Sequence, residues 1–105
     1  MEIYYININN FDYHFFYNQI NNLEKHKIDK YLFYNDKRRS LASIILQKFI
    51  ISKYYNLKFH EITISKNEYN KPYFKNNDNF NYNVSHDKDL VVIIGCFNIV
   101  YNRSN

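Results

Sequence analysis

Residues Leu90–Phe97 read LVVIIGCF, an uninterrupted apolar run near the end of a 105-residue chain. A run of this kind is typical of a β-strand covered on both faces. Residues 80–84 before it alternate weakly as another strand, and residues 85–89 have the polar composition of a turn. The sequence therefore predicts an antiparallel hairpin, with Cys96 inside the core.

The rest of the chain predicts one more long strand and a set of helices. Residues 2–8 alternate and are rich in Ile and Tyr, which indicates a first strand. Apolar residues recur at helical spacing over 11–34, with a break near Asn21 and Asn22, and again over 36–55. The second of these helices is predicted to be capped by Asn35 or Asp36 and buried on several sides.

Two short elements connect the long helix to the hairpin. Residues 62–65 indicate a brief strand, and residues 67–72 have turn chemistry because Pro72 keeps Lys71 out of the helical region. The order of strand, helices, strand and hairpin predicts an α+β fold, with helices packed on one side of a mainly antiparallel sheet.

Composition restricts the class of protein. The chain has a formal charge of +4, a single cysteine and no apolar stretch near the roughly 20 residues that span a bilayer. Residues 1–10 lack the basic start and apolar stretch that are typical of a secretory signal, and one cysteine cannot form an intramolecular disulfide. We therefore expect a cytoplasmic protein with mild attraction for anions and no membrane partner.

Three segments carry groups that suit a phosphate. Arg39 and Ser40 lie near the start of the long helix, where free amides and the helix dipole favour an anion. Lys71 precedes a proline, and Ser85 with His86 ends a strand. Each pattern taken singly is equally compatible with a solvated surface. The histidines and Cys96 lack the paired spacing of a zinc site.

These segments together resemble the N-terminal half of 4'-phosphopantetheinyl transferases of the larger, surfactin-synthetase-activating type. The resemblance is carried by RSL at 39–41, by NEYNKPY at 67–73 and by FNYNVSH at 80–86 before the apolar run. It covers residues 1–96, which we expect to form the half-domain, and it leaves residues 97–105 as an atypical tail.

The resemblance implies a substrate, a partner and a set of binding residues. Family members transfer phosphopantetheine from coenzyme A to a serine of an acyl or peptidyl carrier protein, in a cleft between two similar halves that also holds Mg²⁺. The resemblance assigns coenzyme A binding to the matching positions, which are Arg39, Ser40, Lys71, Ser85 and His86, with Lys27 and Lys30 as further candidates.

The chain departs from the family after the apolar run. Family members continue into a Gly-x-Asp-x-Glu segment that holds the metal and a later Lys-Glu helix, whereas residues 95–105 read GCFNIVYNRSN. We therefore expect no catalytic or metal-binding residues here, and a truncated or split enzyme that is inactive alone. It would pair with a complementary C-terminal half or self-associate. The alternatives are a non-catalytic carrier-protein scaffold and a nucleic-acid binding module, although no nucleic-acid signature is present.

Overall fold

A computed structural model describes residues 1–75 and 80–97. Its helices and strands are β1 (Glu2–Asn7), α1 (Tyr13–Tyr17), α2 (Asn22–Asp29), α3 (Tyr34–Tyr55), β2 (Ser65–Lys66), β3 (Pro72–Tyr73), β4 (Phe80–Asp87) and β5 (Leu90–Phe97). Single 3-10 turns follow β1 at Ile8–Asn10 and α3 at Phe59–Glu61. Residues 98–105, most of the predicted tail, lie outside the described residues.

The main sheet is antiparallel with strand order β1-β5-β4, and β2 and β3 form a separate two-stranded sheet. The predicted α+β class and the β4–β5 hairpin are confirmed. The predicted turn over residues 85–89 is wrong, because β4 continues to Asp87 and only Lys88 and Asp89 connect the strands. The polar residues Ser85, His86 and Asp87 can belong to β4 because their side chains are exposed to water. The chain reverses at Lys88, whose φ of 54° is left-handed.

Burial of β5 is one-sided. Val91 and Ile93 are buried against the helices, whereas Leu90 and Ile94 are 39% and 37% exposed. The expectation that both faces of this strand are covered is wrong, because helices pack on one face only and successive side chains alternate between the faces. Cys96 points to the uncovered side and is exposed, so it is not a core residue.

Two helices precede α3, and the predicted break near Asn21 and Asn22 is confirmed. Helix α2 starts with a capping box in which the Asn21 side chain accepts from the Glu24 amide and Glu24 accepts from the Asn21 amide. The predicted caps of α3 are wrong: the helix begins at Tyr34, and its N-cap residue Phe33 makes no side-chain hydrogen bond.

The core lies between α3 and the inner face of the sheet. Its main cluster contains Ala42, Leu46, Ile50 and Ile51 of α3 packed with Tyr82, Val91 and Ile93 of the sheet. Burying an aliphatic side chain of this size contributes about 1.5–3 kcal/mol relative to leaving it exposed. A second cluster, made of Ile20, Ile28, Leu41 and Ile45, packs α1 and α2 against α3.

The opposite face of the main sheet is apolar and uncovered. We call it the outer face and define it by Ile3, Tyr5, Leu90 and Ile94, of which Ile3 and Tyr5 are 57% and 67% exposed. Ile3 is paired with Ile94 in the sheet register, so the outer face is continuous across β1 and β5. In the described part of the chain, no helix is long and apolar enough to cross a membrane.

Candidate functional site

A cavity of about 790 Å³ lies between α2, α3, the β2–β3 turn and the β4–β5 hairpin. Four cationic side chains, Lys27, Lys30, Arg39 and Lys66, line it together with two carboxylates. Arg39, Ser40 and His86, which the sequence placed on separate elements, contribute to this one lining. The cavity therefore gathers cations, a hydroxyl and an imidazole from several parts of the chain.

Arg39 is held in place by two hydrogen bonds. Its Nη2 donates to Asp36 Oδ1 at 2.8 Å, and its Nη1 donates to the carbonyl of Lys88 at 3.1 Å. The Asp36 contact is an ion pair one turn back on α3, and the Lys88 contact reaches the β4–β5 turn. A guanidinium has five N–H donors, so these bonds orient Arg39 and leave donors for a ligand.

The neighbouring Arg38 has a different role. Its Nη1 donates to the Ile8 carbonyl at 3.0 Å, its Nη2 donates to the Asn35 side chain, and its guanidinium lies 5.0 Å from the Tyr34 ring. Arg38 therefore connects α3 to the 3-10 turn that follows β1. Of the two adjacent arginines, Arg39 is the one that lines the cavity.

Strand alternation separates Ser85 from His86. Val84 and His86 line the cavity with Val91, which is the register partner of His86 on β5. Ser85 is paired with Val92 and lies between these residues, so its side chain projects from the opposite face of the sheet. Ser85 is exposed there and is not part of the cavity lining.

The NEYNKPY segment forms a hairpin at the cavity rim. Asn67 closes it, because its side chain accepts from the amides of Tyr69 and Lys71 at 2.9 Å each, and its own amide donates to the Lys71 carbonyl. Asn70 occupies the left-handed region with φ of 64°. Asn70 and Pro72 line the cavity, and the exposed Lys71 lies between them without lining it.

The α3 wall of the cavity carries a polar chain of three residues, Ser43, Gln47 and Tyr82, that sequence reasoning missed. The Tyr82 hydroxyl donates to Gln47 Oε1 at 3.0 Å, and Gln47 Nε2 donates to Ser43 Oγ at 3.1 Å. Gln47 and Ser43 line the cavity. Burial raises the pKa of the Tyr82 phenol above its usual range. The helical spacing of Ser40, Ser43 and Gln47 on one face of α3 was the available signal.

Metal coordination finds no support in this site. Across residues 1–75 and 80–97, no three His, Cys, Asp or Glu side chains are grouped so that they could hold a metal ion. Asp36 is engaged with Arg39, and Glu24 with Lys48. The residues of the cavity do not fit Mg²⁺, and no chemical step is assigned to a metal here.

A cavity with an excess of cationic groups, oriented donors and several apolar lining residues suits a ligand that carries phosphate and a less polar body. The family described as 4'-phosphopantetheinyl transferase, N-terminal, matches residues 8–98. The match covers most of the chain and all four walls of the cavity, and the chain belongs to this family.

A curated relative agrees with that membership. The chain is 26% identical over 85 residues to the L-aminoadipate-semialdehyde dehydrogenase-phosphopantetheinyl transferase of Schizosaccharomyces pombe. The matched part is 77% of this chain and 33% of the relative, so the chain spans about a third of the length of the curated relative that it matches.

Proposed function

We propose that this domain binds the nucleotide end of coenzyme A in the cavity. One observation carries the proposal: Arg39, Ser40 and His86 line a single cavity together with Lys27 and Lys30. Charge-assisted hydrogen bonds from such groups are the strongest that a protein offers to phosphate. The family membership supports coenzyme A in preference to other phosphate compounds.

The five predicted binding residues enter the proposal with different support. Arg39, Ser40 and His86 are proposed to contact the phosphates directly. Lys71 at the rim is proposed to reach the ligand with its long side chain, since it is exposed beside two lining residues. Ser85 has the least geometric support, because its side chain belongs to the outer face of the sheet.

The reaction that this binding would serve is phosphopantetheine transfer to a carrier protein. The hydroxyl oxygen of a carrier serine forms a bond to the phosphorus that bears pantetheine and gives up its proton to solvent, the phosphoanhydride bond of coenzyme A breaks, and the adenosine bisphosphate leaves with the electron pair. The domain would hold the leaving nucleotide. We propose the surfactin-synthetase-activating type, an acyl or peptidyl carrier as acceptor and a cytoplasmic location.

The 105-residue polypeptide is proposed to be inactive by itself. Phosphoryl transfer depends on neutralising charge on the transferring group, commonly by a divalent cation, and on positioning the nucleophile. None of those functions is assigned to a described residue. Purified chain incubated with an apo carrier protein, coenzyme A and Mg²⁺ is expected to leave the carrier unmodified by mass spectrometry, and a loaded carrier would contradict the proposal.

A partner is proposed for the outer face. Monomeric proteins rarely leave a contiguous apolar patch in water, and such patches mark interaction sites. We propose that a complementary second half, or a second copy of the chain, covers Ile3, Tyr5, Leu90 and Ile94. Analytical ultracentrifugation is expected to show association that an Ile94→Asp change weakens. A chain that stays monomeric at all concentrations would contradict the arrangement in which a second copy covers this face.

Calorimetric titration with coenzyme A tests the binding site. Arg39→Ala is expected to weaken binding about tenfold or more, because a hydrogen bond to a charged group contributes about 1.5–3 kcal/mol. Lys58→Ala is the matched control, since it removes the same charge from an exposed residue that does not line the cavity. Equal affinities in the two variants would remove the site assignment.

A further inference from the structure

Lys48 is the most deeply buried cation among the described residues, with 2% of its side chain exposed. Its ammonium lies 2.8 Å from Glu24 Oε1, and the Glu24 side chain is 13% exposed. Lysine is almost never fully buried unless it is paired, because an unpaired charge in the interior is strongly destabilising. The pair joins the middle of α3 to the first turn of α2.

Glu24 is shared between this ion pair and the cavity. The oxygen that contacts Lys48 also accepts from the Asn21 amide at 3.0 Å, and the carboxylate is one of the lining groups of the cavity. Lys27 lies one turn further along the same face of α2, and Lys30 follows at its end. The Glu24 carboxylate therefore lies in the same wall of the cavity as the cations Lys27 and Lys30.

Lys48 does not line the cavity, so it cannot contact a ligand there. We propose that Lys48 is a positioning residue for anion binding. Its ammonium neutralises the Glu24 carboxylate and holds α2 in place, so that the electrostatic potential at the α2 wall of the cavity stays positive and attracts phosphate. The inference rests on the proposed function for one point, which is that the physiological anion is coenzyme A. The same physics applies to any polyphosphate.

A purely structural fastening predicts a different outcome. If the pair only holds α2 to α3, then any variant that folds should bind anions as the wild type does. If the pair sets the charge of the wall, affinity should follow the net charge of the two residues. The two explanations are separated by measuring affinity on folded protein and stability independently.

A double-mutant cycle supplies this measurement. The variants are Lys48→Met, Glu24→Gln and the double change, and Glu24→Gln retains a side-chain oxygen for the capping box. Affinity for inorganic pyrophosphate and for coenzyme A is measured by calorimetry at low ionic strength, and stability is measured by urea unfolding.

Lys48→Met leaves the Glu24 charge uncompensated, so pyrophosphate should bind about tenfold more weakly. Glu24→Gln leaves Lys48 unopposed and should strengthen binding about threefold, whereas the double variant should lie within about threefold of the wild type. If Lys48→Met does not fold, the other two variants still decide. Equal pyrophosphate affinity in all folded variants would overturn the inference.

The two ligands distinguish the two proposals. Pyrophosphate binding that follows the expected order without any coenzyme A binding would refute the proposed function and leave the role of Lys48 standing. Coenzyme A binding that is the same in every folded variant would refute the role of Lys48 alone. A wild-type chain that binds neither ligand would overturn both.

Discussion

Replacing Tyr82 with phenylalanine keeps the ring in the core and removes only its hydroxyl. Tyr82 is 5% exposed, and its hydroxyl is 3.0 Å from Gln47 Oε1. Without that donor the buried amide oxygen of Gln47 is left unsatisfied. A lost hydrogen bond of this kind costs about 1 kcal/mol, so the variant should be less stable by that amount near neutral pH.

The same change should have the opposite effect in alkali. Burial raises the pKa of the Tyr82 phenol in the folded state, whereas an unfolded tyrosine titrates near its usual value of about 10. A raised folded pKa contributes stability that is complete below the unfolded pKa and is lost as pH rises above it. By about pH 11 the wild type should have lost roughly 1.4 kcal/mol that the phenylalanine variant cannot lose.

Urea unfolding of both proteins at several pH values measures this difference. The wild type should be more stable by about 1 kcal/mol at neutral pH, the two curves should cross between pH 10 and pH 11, and the phenylalanine variant should be the more stable protein, by about 0.4 kcal/mol, at pH 11. Because the other titrating groups are common to both proteins, they cancel in the comparison. A difference that stays constant from pH 7 to pH 11 would refute the account of Tyr82 as a buried neutral donor.

Three further changes test how the walls of the cavity are held. Gly95→Ala would place a Cβ on Ile50 Cδ1 and 3.2 Å from a Phe80 ring carbon. Because Ile50 is fully buried, urea unfolding should show a loss of about 1–3 kcal/mol. Unchanged stability would contradict the tight packing around Gly95. Asn21→Ala removes the cap of α2 and should cost about 1 kcal/mol in the same assay, whereas Asn21→Ser should restore most of it. Asn70→Ala forces a left-handed φ of 64° on a residue that disfavours it and should cost about 1 kcal/mol, and Asn70→Gly should be tolerated; the reverse order would contradict the turn geometry.

Periodicity predicted the elements whose burial is strong and regular. The apolar run of β5 and the helical repeat of α3 were located almost to the residue, because each must present several large side chains to one core. Residues 62–65 were predicted as a strand, but β2 is Ser65–Lys66. The position of that short strand is set by the hydrogen bonds of the Asn67 side chain in the turn that follows, and hydrophobic periodicity carries no information about such a turn.

Errors arose where tertiary contacts overrode local signals. Asn35 and Asp36 have good capping side chains, yet these bind Arg38 and Arg39 one turn along α3. The apolar Phe49 of α3 is 41% exposed, whereas the polar Gln47 and Lys48 are buried. Polar residues are buried when a partner on another element satisfies them, and a partner 24 residues away in the chain cannot be inferred from spacing.

The candidate site was predictable in its chemistry and less so in its geometry. Arg39, Ser40 and His86 were proposed as phosphate ligands from their types and positions, and they prove to share one cavity. The assignment of these residues to binding stays a prediction. Ser85 was placed beside His86 because the two are adjacent in sequence, although adjacent side chains of a strand point to opposite faces.

Chemical-shift mapping of coenzyme A on the ¹⁵N-labelled chain asks whether this cavity is where the ligand binds. The largest saturating shifts are expected at the backbone amides of Arg39, Ser40 and His86, with smaller ones along the β2–β3 turn. Shifts confined to the outer face at Ile3, Tyr5 and Ile94, or no shifts at millimolar coenzyme A, would contradict the proposal that coenzyme A binds in this cavity.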